Sequence, residues 1–204
     1  MSTSSSMNRC VTQSLDELLD EVRACTVCVD HLDHGVRPIV QMSSTARIVI
    51  IGQAPGRRVH ESGIPWDDQS GRTLRKWLGV SDDVFYDPAT VAIMPMGFCY
   101  PGSASSGDKP PRPECAPLWH ERLLEQLPGD RLTVLIGMYA QKQYVKERRA
   151  NLTNTVAAWK SFLPDRLVLP HPSPRNQHWL TKYPWFERDV LPAAQRRIQE
   201  LLAR

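Results

Sequence analysis

No apolar run in this chain approaches the ~18 residues that a membrane-spanning helix needs. Its opening, Met1 to Met7, is serine-rich and lacks the apolar core of a secretory signal. The expected location is therefore cytoplasmic, with residues 1–12 read as a polar tail and 13–204 as one domain. Net charge is also scarce: the formal +3 on 204 residues is carried by a soluble domain without any acidic partner, so composition alone gives no argument for nucleic acid. Cysteine is limited to five positions. In a reducing compartment disulfides are disfavoured, which leaves metal binding, catalysis or core filling for paired cysteines.

What is present is an alternation of short apolar runs and amphipathic segments. Ile48 to Ile51 is β-branched throughout and reads as a strand buried on both faces, opening into the turn Gly52-Gln53-Ala54-Pro55-Gly56. Before it, Ser14 and Glu17 form a capping box ahead of a helix from about Leu15 to Ala24, which delivers Cys25 and Cys28 just beyond its end. After the turn, Arg57 to Asp68 is too polar and too rich in Gly and Pro to suggest an element and reads as a binding loop. Ser70 is the expected cap of a helix carrying Leu74, Trp77 and Leu78 inward. Further strands are expected at Thr90 to Met96, Leu132 to Gly137 and Arg166 to Leu169. Helices are expected from Pro117, from Met138 to Lys146, from Thr153 to Phe162, and through Phe186 to Leu202, the last kinked or restarted at Pro192. Gly97 to Pro113 has no periodicity, and an ordered loop of that length needs a reason.

Four short strands alternating with helices imply an α/β fold, a three-layer α/β/α sandwich around a four-stranded, mainly parallel sheet. In such sheets ligands bind beyond the carboxyl ends of the strands. Two turns fall there, the one holding Gln53 and the one running His171-Pro172-Ser173-Pro174-Arg175-Asn176. Together with the intervening loop they offer Gln53, His60, Glu61, Asp67, Asp68, His171, Ser173 and Asn176. A Gln or Asn amide both donates and accepts, as an exposed base edge requires, and a His can donate to a developing oxyanion or act as acid or base near neutrality.

Gly52 to Gly56, then Gly63-Ile64-Pro65-Trp66, then His171 to Pro174 resemble, in order, the signature turns of the uracil-DNA glycosylase superfamily, and most closely its iron-sulfur family 4 branch. The resemblance spans roughly residues 15 to 203. It implies a DNA glycosylase of base-excision repair that hydrolyses the N-glycosidic bond of a flipped uracil or related deaminated base. Trp66 would stack on the base, in a pocket formed with Gly52, Ala54 and Met96, and His171 would support charge on the departing ring. Ser173, Arg175 and Asn176 would contact DNA, with Arg57 and Arg58 as further phosphate contacts. The branch also implies a [4Fe-4S] cluster on a C-x-x-C pair and two later cysteines fifteen residues apart. Cys25, Cys28, Cys99 and Cys115 fit that pattern, with Tyr100 to Glu114 intervening. Zinc would use the same four thiolates.

Two positions depart from the branch. Gln53 stands where its first turn carries Glu, followed by basic rather than acidic residues, and Pro95 stands where it carries the base-reading Asn. Gln53 would then position water or a base edge, with Asp67, Asp68 or Glu61 as the replacement acid. The alternatives are a non-catalytic iron-sulfur nucleic-acid binder or sensor and a hydrolase of free nucleosides or nucleotides. A monomer acting on DNA, without membrane association, is expected.

Overall fold

A computed structural model describes residues 13–105 and 107–204; the expected tail, 1–12, and with it Cys10, lie outside the described residues. Helix α1, Leu15–Arg23, begins at the capping box: Ser14 Oγ accepts from Glu17 N at 3.3 Å, and Glu17 Oε2 accepts from Ser14 N at 2.9 Å. Strand β1, Ile48–Ile51, is followed by α2, Arg57–Ser62, α3, Gln69–Leu78, α4, Asp82–Tyr86, and β2, Val91–Ile93. A small hairpin, β3 at Ser103–Ala104 with β4 at Gly107–Asp108, precedes a wide π turn, Ala116–His120, that continues as α5, Glu121–Glu125. Then come β5, Leu132–Ile136, α6, Gly137–Tyr144, α7, Leu152–Ala157, β6, Arg166–Leu169, α8, Gln177–Lys182, and α9, Leu191–Leu202.

The four main strands form one parallel sheet in the order β2-β1-β5-β6. Alternate residues of β1 feed opposite layers. Val49 and Ile51 pack with Leu18, Val22, Trp119 and Leu123, while Ile48 and Ile50 pack with Leu74, Trp77, Phe186 and Ile198. Burying each such aliphatic side chain stabilises by ~1.5–3 kcal/mol, so four consecutive fully buried residues commit this segment to the centre of the sheet. On the β2 side, Gln41 bridges Ile93 antiparallel and its side-chain amide donates to the carbonyls of Phe85 and Val91, occupying part of that edge. The three-layer α/β/α reading therefore holds.

Several local expectations do not. Arg57 to Ser62 is helical although its residues are polar, because one inward side chain, Val59, is enough to anchor a short helix bounded by Gly56 and a left-handed Gly63 (φ 76°). Asp68, not Ser70, caps α3, accepting from Gly71 N at 2.8 Å, while Ser70 is buried inside the first turn. The second strand ends before Pro95 rather than running to Met96. The Thr153 to Phe162 helix breaks after Ala157 into a separate turn at Trp159–Ser161. The chain's last helix does change near Pro192: a π turn at Phe186–Val190 runs into α9, absorbing the missing N–H.

Candidate functional site

Because all four strands point the same way, the turn after β1 and the turn after β6 emerge at one edge of the sheet. Between them lies a cleft of about 540 Å³. Gly52, Gln53 and Ala54 of the first turn, Trp66 and Asp68 ahead of α3, and His171, Ser173, Arg175 and Asn176 of the second turn all line it. So do Pro95, Gly107 and Asp108.

Trp66 is held in place by two glycines. It has the one positive φ of a non-glycine residue among the described residues, 57°. Its ring lies across Gly52, where a built Cβ would fall 2.8 Å from Cζ2, and its carbonyl fills the space a side chain at Gly71 would need. Across the floor, the Trp66 and His171 rings are 5.8 Å apart and tilted by 33°. Burial pushes the His171 pKa below the ordinary histidine value, with the charge of Asp68 pulling weakly the other way. At neutral pH the ring is therefore an uncharged imidazole, able to donate a hydrogen bond without bringing a cation into the cleft.

The second turn is organised from within. Asn176 Nδ2 donates to the His171 carbonyl at 2.7 Å, and Ser173 Oγ accepts from Arg175 N at 3.3 Å. The first turn is tied to the rest of the site by backbone and side chain: Gly52 and Gln53 carbonyls accept from Met96 N and Gly97 N, and Gln53 Nε2 donates to the Lys109 carbonyl at 3.2 Å. Pro95 is fixed from behind, its carbonyl accepting from His120 Nε2 at 3.0 Å.

Other expected site residues are not in the cleft wall. Met96 is buried in the core beneath the first turn. Glu61 is exposed on α2, and Asp67 faces Arg58 at 3.9 Å, so neither acid reaches the cleft lining. Arg57 and Arg58 are exposed at the start of α2. Conversely, Asp108, which lines the cleft, belongs to no recognisable motif. It sits in the aperiodic Gly- and Pro-rich stretch, whose length is the one sequence signal that this loop is built for a purpose.

Cys25, Cys28, Cys99 and Cys115 converge on a second, small cavity walled by Leu32, Val36, Phe98 and Trp119. All four are unpaired thiols. Burial pushes the Cys99 and Cys115 thiols up to about 12 and about 11, so these two are neutral unless a cation draws off their protons. As a set of soft donors they suit iron-sulfur or zinc chemistry. Among the described residues, however, no group of three or more His, Cys, Asp or Glu side chains stands in a geometry that could hold a metal ion. No helix of the described residues is long and apolar enough to cross a membrane.

A parallel four-stranded sheet with a cleft between the ends of β1 and β6 agrees with what most of the sequence matches. Residues 40–195, well over half of the chain, match the Uracil DNA glycosylase superfamily, and this protein belongs to that family.

Proposed function

We propose that this protein is a DNA glycosylase that accepts a flipped uracil or related deaminated base and hydrolyses its N-glycosidic bond. The observation that carries this reading is the shared cleft of Trp66 and His171, a flat aromatic surface beside a half-buried neutral imidazole. A base stacked on the exposed face of Trp66 presents its polar edge to groups on the surrounding wall. His171 then donates to the ring oxygen on which negative charge grows as the glycosidic bond breaks, an interaction that strengthens in the transition state.

The rim of the second turn, with Arg175 as its cation, supports DNA as the substrate. Ser173, Pro174 and Arg175 sit at the cleft rim, where a duplex backbone would run beside an extruded nucleotide. Asn176 donates one amide N–H to the His171 carbonyl, so it also helps to hold the histidine turn in place.

We further propose that Cys25, Cys28, Cys99 and Cys115 hold a [4Fe-4S] cluster, with zinc as the competing occupant of the same donor set. Such a centre would cross-link the end of α1 to the loop between Cys99 and Cys115, and so brace the segment that carries Asp108. In this position its contribution is structural.

The test is release of free base from oligonucleotides containing uracil or hypoxanthine, measured with enzyme in excess. Release supports the reading. Salt-dependent DNA binding without release from any damaged base would instead identify a non-catalytic binder. Cleavage of free nucleosides that duplex DNA does not compete against would point to a small-molecule hydrolase.

A further inference from the structure

The first turn lacks an acid, and the manner in which Gln53 is held indicates where the acid has gone. Gln53 Nε2 is a hydrogen-bond donor to the Lys109 carbonyl. A carboxylate at position 53 has no proton to give and would face that carbonyl with like charge, so it is the amide that allows this bond. The bond it makes fixes the residue immediately after Asp108. The hairpin is also closed by Lys109 N donating to the Gly102 carbonyl at 2.8 Å, and the Arg175 guanidinium of the second turn packs directly on Gly107. Asp108 is thereby laid over the first turn, with Oδ2 only 3.4 Å from where a Cβ on Gly56 would be.

The other carboxylates are otherwise engaged or distant. Asp68, the second acid lining the cleft, spends Oδ1 on the N-terminus of α3. Asp67 faces Arg58, and Glu61 is outside the cleft. We propose that Asp108 is the catalytic carboxylate of this glycosylase, reaching the cleft from the loop between Cys99 and Cys115 and replacing the acid missing at Gln53. This rests on the glycosylase reading above.

The step balances without any further reagent. Water oxygen bonds to the sugar C1′ as the C1′–N bond breaks, the bonding pair leaves with the base, and the water proton passes to Asp108. The base anion is steadied by His171 and then takes a proton from Asp108 or solvent. The groups facing Asp108 are Asp68 at the start of α3, Arg57 on α2 and Arg175 in the second turn, while Lys109 is turned away to Asp33 at 3.0 Å. Asp108 is exposed as a residue, but partial desolvation of its carboxyl raises its pKa, Arg175 pulls it down, Asp68 raises it further and Arg57 lowers it, for a net rise above the ordinary aspartate value. That suits a base that must hold a proton briefly.

The experiment is single-turnover base release across pH for the wild type, Asp108→Asn and Asp108→Glu, with DNA affinity and thermal melting measured in parallel. Wild-type activity should fall on the acid side as Asp108 protonates. Asp108→Asn should lose ~10²–10⁴-fold in rate and lose that acidic limb, with affinity and melting retained. Asp108→Glu should keep a limb at a shifted pH, which also covers the case in which the Asn variant folds poorly. An Asp108→Asn protein with the wild-type rate, or a slow one with an unchanged limb, overturns the assignment while leaving the glycosylase reading intact. A wild type that releases no base overturns both.

Discussion

His120 shows how a residue outside the cleft controls one within it. It is 3% exposed, and its two ring nitrogens have distinct partners: Nε2 faces the Pro95 carbonyl, and Nδ1 faces the Tyr144 hydroxyl at 2.5 Å. A carbonyl can only accept, so Nε2 carries the proton and Nδ1 accepts from Tyr144. Burial pushes the His120 pKa down to about 4 and the Tyr144 hydroxyl well above the ordinary tyrosine value. The unfolded chain binds a proton at this histidine near pH ~6.5 and the folded chain only near 4. The stabilising effect of neutral His120 is thus complete above ~6.5, falls as pH drops towards 4, and changes no further below that. Denaturant unfolding at pH 7.5 and 4.5 should show the wild type losing on the order of 2 kcal/mol more than His120→Gln. Equal losses would contradict the network. Pro95 itself offers no side-chain donor, so under the proposed function the reading of a base edge at this wall would fall to its neighbours.

At the scale of elements, the site depends on how α3 begins. The left-handed Trp66, the Asp68 cap and the side-chain-free Gly71 form one unit, because a Cβ at Gly71 would fall 1.8 Å from the Trp66 carbonyl. Gly71→Ala should therefore cost about 1–3 kcal/mol in stability and also change Trp66 fluorescence and base release. A Gly71→Ala protein with wild-type melting and activity would show that α3 does not set the Trp66 position. Little of this unit is legible in sequence. The apolar stripe of Leu74, Trp77 and Leu78 announces the helix, but Ser70 and Asp68 are equally good caps on composition, and only packing chooses between them. Likewise the β-branched run at Ile48 to Ile51 reveals a buried strand directly, and the His171 turn reveals itself by its motif. Asp108 does not, because its role depends on a hydrogen bond between Gln53 and a loop residue 56 positions away in the chain.

Over the whole molecule, the two turns, the loop between Cys99 and Cys115 and the end of α1 come together on either side of that loop: the cleft on one flank, the four thiols on the other. If the thiols hold an iron-sulfur cluster, anaerobically purified protein should contain about four iron atoms per chain with a broad visible absorbance band. Replacing Cys99 with Ser should remove both and lower thermal stability. Protein containing neither iron nor zinc would remove the metal proposal without touching the fold. The account's central claim, that this cleft breaks an N-glycosidic bond with His171 steadying the departing base, is tested most directly by single-turnover base release from uracil- and hypoxanthine-containing DNA, comparing wild type with His171→Ala. The account predicts release by the wild type and a loss of ~10²-fold or more in the variant, with DNA affinity retained. No release by the wild type at high enzyme excess, or equal rates for the two proteins, would contradict it.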